Sequence, residues 1–228
     1  MAITRALPDA EHTAARVRAL GGEPVLAPLL SIAPCAYDTN ISGAQAVLFT
    51  SANGVRAFPG ARDCIALTVG DATAEAARAA GFTDVRSAGG DVAALAALAK
   101  AQLDPGAGKL IHIGGEHIAG DLVGELRAAG FSAERRIAYA AHAATALPAA
   151  FHEPLDIVLF HSARAAQTFV ALGAPGAAGL TAACLSAAVA EAAEKTGWKR
   201  VIVAPAPRED AFLAAALQGQ NAAGGASA

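Results

Sequence analysis

Two stretches decide the fold: AVLFTSANGVRAF at residues 46–58 and DIVLFHSARAAQTF at residues 156–169. Each opens on a short apolar run, Val47 to Phe49 in one and Ile157 to Phe160 in the other. Runs of that kind read as strands buried on both faces. Each then passes a small polar corner and enters an alanine-rich segment of helical character. The likeness extends outward. VGDATAEAARAAGF (69–82) is echoed by LSAAVAEAAEKTGW (185–198), and TDVRSAGGDVAALAALA (83–99) by KRVIVAPAPREDAFLAAAL (199–217). The opening ITRALPDAEHTAARVRALGGEPVLAPLL (3–30) has its partner in IHIGGEHIAGDLVGELRAAGFSAERRIAY (111–139). The offsets are roughly 110 to 116 residues, far too long for a solenoid, so the pattern predicts one unit duplicated into two similar domains.

Within each unit, strand alternates with helix. Helices are predicted over 11–20, 73–80, 121–129 and 188–195, each stopped by a glycine (Gly21, Gly81, Gly130, Gly197). This grammar places the chain in the α/β class, with parallel sheets and right-handed crossovers. Residues 33–42 and 138–148 read as connections between domains. They fall at equivalent points of the two repeats, so two topologies stay open. Either each half folds separately, or the middle fragment forms one domain while the two ends combine into the other. The uncharged stretch 165–190 is long enough to span a bilayer, yet Gly173, Pro175, Gly176 and its alanine content predict two short buried helices around a turn. NAAGGASA (221–228) reads as a disordered tail.

The 228 residues are 54% hydrophobic and 16% charged, with a net charge of −3, which excludes disorder for most of the chain. No basic run is present, so nucleic acid is not an expected partner. A small anionic ligand remains compatible, because local arginines matter there more than net charge. Cys35, Cys64 and Cys184 lie far apart, without a CxxC pair, so neither a disulfide framework nor a structural zinc site is expected. Asp9 and Glu11 stand where a signal peptide needs apolar residues, so a soluble cytoplasmic protein with no membrane partner is expected. His112 and His117 lack metal-ligand spacing and read as strand and loop histidines. The dinucleotide, nucleoside-triphosphate and hydrolase motifs (GxGxxG, Walker, GxSxG) are missing from the sequence.

Ligands of α/β sheets bind beyond the carboxyl ends of the strands, where helix N-termini present free N–H groups. Four corners fit that place: Thr50, Ser51, Ala52, Asn53, Gly54; Ser162, Ala163, Arg164; Gly70, Asp71, Ala72, Thr73; and Gly114-Gly115 after KLIHI. Ser51 or Asn53 also fits a plain helix cap, and Gly-Gly by itself means a turn. Arg5, Arg56 and Arg164 sit beside such corners, and arginine forks suit carboxylates and phosphates. The pattern across corners predicts a polyanion cradle in a cleft between the two domains. Tyr139, one of two tyrosines, lies in an expected connection and reads there as a packing aromatic with a wet hydroxyl.

The motifs FTSANGV (49–55), VGDATAEAARAAGF, ITR (3–5) with PLL (28–30), and ERRIAY (134–139), taken in order, resemble the uroporphyrinogen-III synthase family over nearly the whole chain. The resemblance implies a swapped topology: residues 1–35 plus 145–220 form one domain, 40–138 the other, joined by two strands across a cleft. It implies conversion of linear hydroxymethylbilane, an octacarboxylate, into uroporphyrinogen III, with loss of water and inversion of ring D. It implies no metal and no organic cofactor, and nothing in the sequence demands a partner beyond a monomer. Tyr139 matches the family tyrosine that assists departure of the hydroxyl. Ser51, Asn53 and Gly54 fall on its first cleft motif and Thr73 on the threonine of its second. Ser162 retains the cleft serine, and the N–H groups near Ser186 and Ala187 are implied to face substrate. Arg5, Gly70, Gly114 and Arg164 are expected substrate contacts from the corner pattern itself.

The sequence also departs from the family pattern. Ala6 replaces a common proline, Ala188 and Val189 replace a threonine pair, and Ile118 and Ala119 replace basic residues. These losses keep open an alternative, a weakened relative that binds a tetrapyrrole or other polyanion without turnover. A third reading, an exported two-domain binding protein for sugars or amino acids, lacks the expected signal peptide.

Overall fold

The computed structural model describes residues 1–117 and 120–224. Numbered along the chain, its strands are β1 (Ala2–Ile3), β2 (Val25–Leu26), β3 (Leu30–Pro34), β4 (Ala44–Phe49), β5 (Ile65–Thr68), β6 (Val85–Ser87), β7 (Lys109–Gly115), β8 (Ala133–Ala143), β9 (Ile157–Phe160), β10 (Thr181–Cys184) and β11 (Arg200–Val203). The helices are α1 (Asp9–Ala19), α2 (Ala52–Arg56), α3 (Asp71–Ala79), α4 (Val92–Gln102), α5 (Leu122–Ala128), α6 (Ala163–Ala171), α7 (Ala187–Ala193) and α8 (Glu209–Gly224). Contacts divide the chain into a middle unit, Ile32–Ala141, and a terminal unit made of Met1–Ser31 and the chain from His142 onward. The chain passes from one unit to the other within β3 and again within β8.

The middle unit holds a sheet in the order β3-β8-β7-β4-β5-β6. Every pairing from β8 to β6 is parallel. Its central strands are buried on both faces, as their unbroken apolar runs require. Ala46 and Leu48 of β4 point into a core with Leu67, Leu95, Leu110, Leu122 and Leu126, under α4 and α5. Val47 and Phe49 alternate to the other face and meet Phe58, Phe82, Ile111 and Ile113, against α2 and α3. The rings of Phe49, Phe58 and Phe82 lie 5.6–6.0 Å apart, with Phe49 edge-on to the other two.

The terminal unit repeats this plan. Its five parallel strands run β11-β10-β9-β1-β2, the same order as β6-β5-β4-β7-β8 in the middle unit. Ile157 and Leu159 of β9 pack with Ile3 of β1, Val17 of α1 and Phe212 and Leu213 of α8. Val158 and Phe160 face Leu29, Phe169, Leu180 and Cys184 beneath α6 and α7, with Trp198 stacked on Phe169. Each such large side chain, once buried, contributes about 2 kcal/mol.

Gly21, Gly81 and Gly130 adopt positive φ just past α1, α3 and α5, as helix-stopping residues do. Three expectations need correction. Gly197 does not stop α7; the helix ends at Ala193, whose carbonyl accepts the Trp198 indole N–H at 2.8 Å. The uncharged 165–190 stretch contains not only two helices and a turn but β10, hidden because Thr-Ala-Ala-Cys carries little strand signal. α8 runs to Gly224, past the expected tail start at Asn221, because a helix nucleated on buried Phe212, Leu213 and Ala216 propagates at little cost. Residues 225–228 lie outside the described residues. No described helix is long and apolar enough to cross a membrane.

Candidate functional site

Parallel pairing puts the carboxyl ends of β4, β5, β7 and β8 at one edge of the middle sheet, and the side chains of interest gather there. Ser51 caps α2: its Oγ accepts the Gly54 N–H at 3.2 Å. The same Oγ lies 2.8 Å from the Tyr139 hydroxyl, brought across the sheet from β8. Tyr139 is half-buried and pairs in register with Gly115, where β7 breaks step between Gly114 and Gly115. The tyrosine ring lies on the bare Cα of Gly115; a Cβ there would stand 2.7 Å from ring carbons and 2.9 Å from the hydroxyl. Gly114 has the same reason to be glycine, since a Cβ would meet His112 Nε2 at 2.8 Å. The Gly-Gly pair therefore ends a strand rather than forming the turn its sequence suggests. Gly54 lets α2 sit on β7, where a Cβ would come 2.5 Å from the Ile113 carbonyl.

Next to Ser51, the Thr50 hydroxyl is 3.1 Å from His112 Nε2. Burial, with the Arg135 charge adding to it, lowers the His112 pKa to about 4, so the imidazole is neutral at pH 7. Its Nδ1 is buried without a hydrogen-bond partner among the described residues. Arg135 donates to the Gly115 carbonyl and, at 2.8 Å, to the Glu116 carbonyl, pinning the exit of β7. In the sequence, Thr50 stands out only as part of a corner and His112 only as a strand histidine, because the contact between them joins residues 62 positions apart.

The other sequence-derived residues of this unit are more dispersed. Asn53 turns its Oδ1 to Arg56, at 2.5 Å, on the exposed side of α2. Gly70 precedes α3 in extended conformation, with open space where a Cβ would stand. Thr73 is buried at the third position of α3. Ile118 and Ala119 lie outside the described residues.

In the terminal unit, Ser162 caps α6, accepting the Ala165 N–H at 3.2 Å, and matches Ser51 in the repeat. Arg164 follows at the second position of α6, half-buried, its guanidinium meeting no acid among the described residues. Ser186 precedes α7 without a side-chain cap bond, and Ala187 and Ala188 are exposed. Val189 is buried in the core, as Thr73 is in the other repeat. Arg5 departs most from expectation. Its guanidinium donates to Thr13 Oγ1 at 3.2 Å and lies 3.4 Å from Asp9 and 3.5 Å from Glu209. It is committed to the protein's own acids.

Glu209 is the hub of that cluster. It accepts the Thr13 hydroxyl at 2.6 Å and stands 3.1 Å from His161 Nε2. Burial holds the His161 pKa below its ordinary value, against the pull of Glu209. Burial works against the Glu209 carboxylate, but the bonds from His161 and Thr13 and the Arg5 charge outweigh it and keep it ionised. No group of His, Cys, Asp and Glu side chains arranged to hold a metal ion occurs among the described residues.

The family model for uroporphyrinogen-III synthase HemD matches residues 11–214. The chain belongs to the uroporphyrinogen-III synthase family. Its members are lyases of haem biosynthesis that act on a small tetrapyrrole substrate. The uroporphyrinogen-III synthetase structure from Helicobacter pylori superposes with a TM-score of 0.66 at 16% identity, covering 95% of this chain and 98% of that one. A mutant uroporphyrinogen III synthase from the extremely thermophilic bacterium Thermus thermophilus gives 0.54 at 19% identity, with 97% of each chain covered. These two likenesses establish the shared fold. A comparison with curated proteins gives no match.

Proposed function

We propose that this chain cyclises hydroxymethylbilane to uroporphyrinogen III and that Tyr139 is its catalytic residue, donating a hydrogen bond to the departing hydroxyl. The observation that carries the assignment is the 2.8 Å contact that joins the Tyr139 hydroxyl to the helix-capping Ser51. The Gly54 N–H occupies a lone pair of Ser51 Oγ, and Ser51 in turn can donate its proton to Tyr139 at 2.8 Å. The phenol proton is then free to point away from the protein, strengthened by the bonds behind it. The pyrrole nitrogen pushes electrons, the C–O bond breaks, and water leaves with the proton that Tyr139 helps deliver. The resulting cation is attacked by the substituted carbon of ring D. A spiro intermediate fragments and recloses in the inverted sense, and loss of a proton restores the ring. The cation is reactive in itself, so the protein's main contribution is orientation and exclusion of water.

Carboxylates are met by backbone N–H groups beside Gly70 in the middle unit and beside Ser162, Ser186 and Ala187 in the terminal unit, whereas the Thr73 N–H already donates to the Gly70 carbonyl at 3.1 Å. Arg164 is the cation we assign to a substrate carboxylate. The enzyme is assigned as a monomer, since the sequence carries no heptad pattern and no long exposed apolar stripe. The three cysteines are unpaired, which supports a reducing cytoplasm. Nucleic acid and membranes have no part in the scheme.

Substituting Tyr139→Phe removes the phenol and keeps the ring on Gly115. The expected result is a fall in kcat of about tenfold to a hundredfold with product affinity unchanged. Turnover unchanged in this variant would refute the role of Tyr139. A wild-type protein that binds the product and never turns over would favour the polyanion-binding alternative.

A further inference from the structure

The residue immediately before each cap serine is tied down by a side chain from another element. In the middle unit it is Thr50, held by His112 from β7 at 3.1 Å. In the terminal unit it is His161, held by Glu209 at the start of α8 at 3.1 Å. Duplicated positions have thus acquired the same restraint from unrelated chemistry. In the middle unit the neighbour of the restrained residue is Ser51, the partner of Tyr139.

The proton on His112 can be placed. Nδ1 is buried and without a partner, and a buried N–H left unbonded costs more than an unfilled lone pair. The tautomer with the proton on Nε2 satisfies this condition, so the imidazole donates to Thr50 Oγ1. Gly114 makes the arrangement possible, because any side chain there would strike the ring at Nε2. The imidazole stays neutral at working pH and keeps the same donor throughout.

We propose that His112 is a positioning residue for the cyclisation: its Nε2–H fixes Thr50 and, through the next residue, the Ser51 hydroxyl that orients Tyr139. This deepens the functional reading above and rests on it. A double-mutant cycle tests it. His112→Leu, His112→Gln and Thr50→Val are made in the wild-type and Tyr139→Phe backgrounds, and kcat and KM for hydroxymethylbilane are measured. His112→Leu lowers kcat about fivefold to tenfold with KM within about twofold. His112→Gln, whose amide nitrogen can reach the imidazole Nε2 position, restores most of the loss. In the Tyr139→Phe background, His112→Leu causes no further fall. Should His112→Leu fail to fold, Thr50→Val breaks the same bond from its other end and is read in the same cycle. An equal loss in both backgrounds, or no rescue by glutamine, overturns the proposal while leaving Tyr139 in its role. Wild-type turnover by Tyr139→Phe alone overturns the role of Tyr139 and this inference together.

Discussion

Lowering the pH should weaken the middle unit through His112 before any carboxylate titrates. The folded unit holds this imidazole neutral down to about pH 4, whereas in the unfolded chain it titrates at its ordinary value of 6.5. Between those values the unfolded state binds a proton that the folded state refuses. Stability is therefore complete above pH 6.5 and falls as the pH drops towards 4. The gap between 6.5 and about 4, at 1.36 kcal/mol per unit, amounts to about 3 kcal/mol, of which about 2 kcal/mol is lost by pH 5. Urea titrations at pH 7 and pH 5 can isolate this contribution, because the two tyrosines, Tyr37 and Tyr139, lie in the middle unit and the single tryptophan, Trp198, in the other. The tyrosine-monitored transition of the wild type should lose about 2 kcal/mol more than that of His112→Gln between the two pH values. The tryptophan-monitored transition, which carries the response of His161, should be the same in both proteins. Equal losses in the tyrosine signal would refute a neutral, desolvated His112.

Two further substitutions probe the packing around the site. Gly115→Ala places a methyl under the Tyr139 ring, 2.7 Å from its carbons, and the ring must move. A displacement of about 1 Å at a catalytic group costs about a hundredfold in rate, so steady-state assays should show kcat falling by tenfold or more while the variant still folds. Glu209→Gln removes the anion shared by Arg5, Thr13 and His161. Denaturant unfolding at pH 7, followed at Trp198, should show a loss of about 2 kcal/mol. The wild type gains from the carboxylate's depressed pKa only above the ordinary carboxylate range, so the difference should shrink as the pH falls below it.

The duplication and the α/β class were legible in the sequence because the strands that carry them are buried on both faces. Val47 to Phe49 and Ile157 to Phe160 had to be apolar without interruption, and the glycines after α1, α3 and α5 had to occupy positive φ. β10 escaped notice because alanine suits a crowded parallel sheet without announcing a strand. The corners at Ser51 and Ser162 were legible as helix caps. What joins them to chemistry was not. Ser51 and Tyr139 are 88 residues apart, and they meet only because the sheet order sets β8 beside β7 and β7 beside β4. Arg5 showed its charge but not its engagement, since Glu209 reaches it from the other end of the chain. His112 looked like an ordinary strand residue until Thr50 and Gly114 were seen on either side of its Nε2.

The central claim is ring-inverting cyclisation, and the isomer of the product tests it most directly. Purified protein is supplied with freshly generated hydroxymethylbilane, and the products are oxidised and separated by chromatography. Unassisted closure gives the type I ring, so the background is distinguishable. The account predicts that type III uroporphyrinogen dominates; type I alone, formed at the rate of the protein-free control, would contradict it.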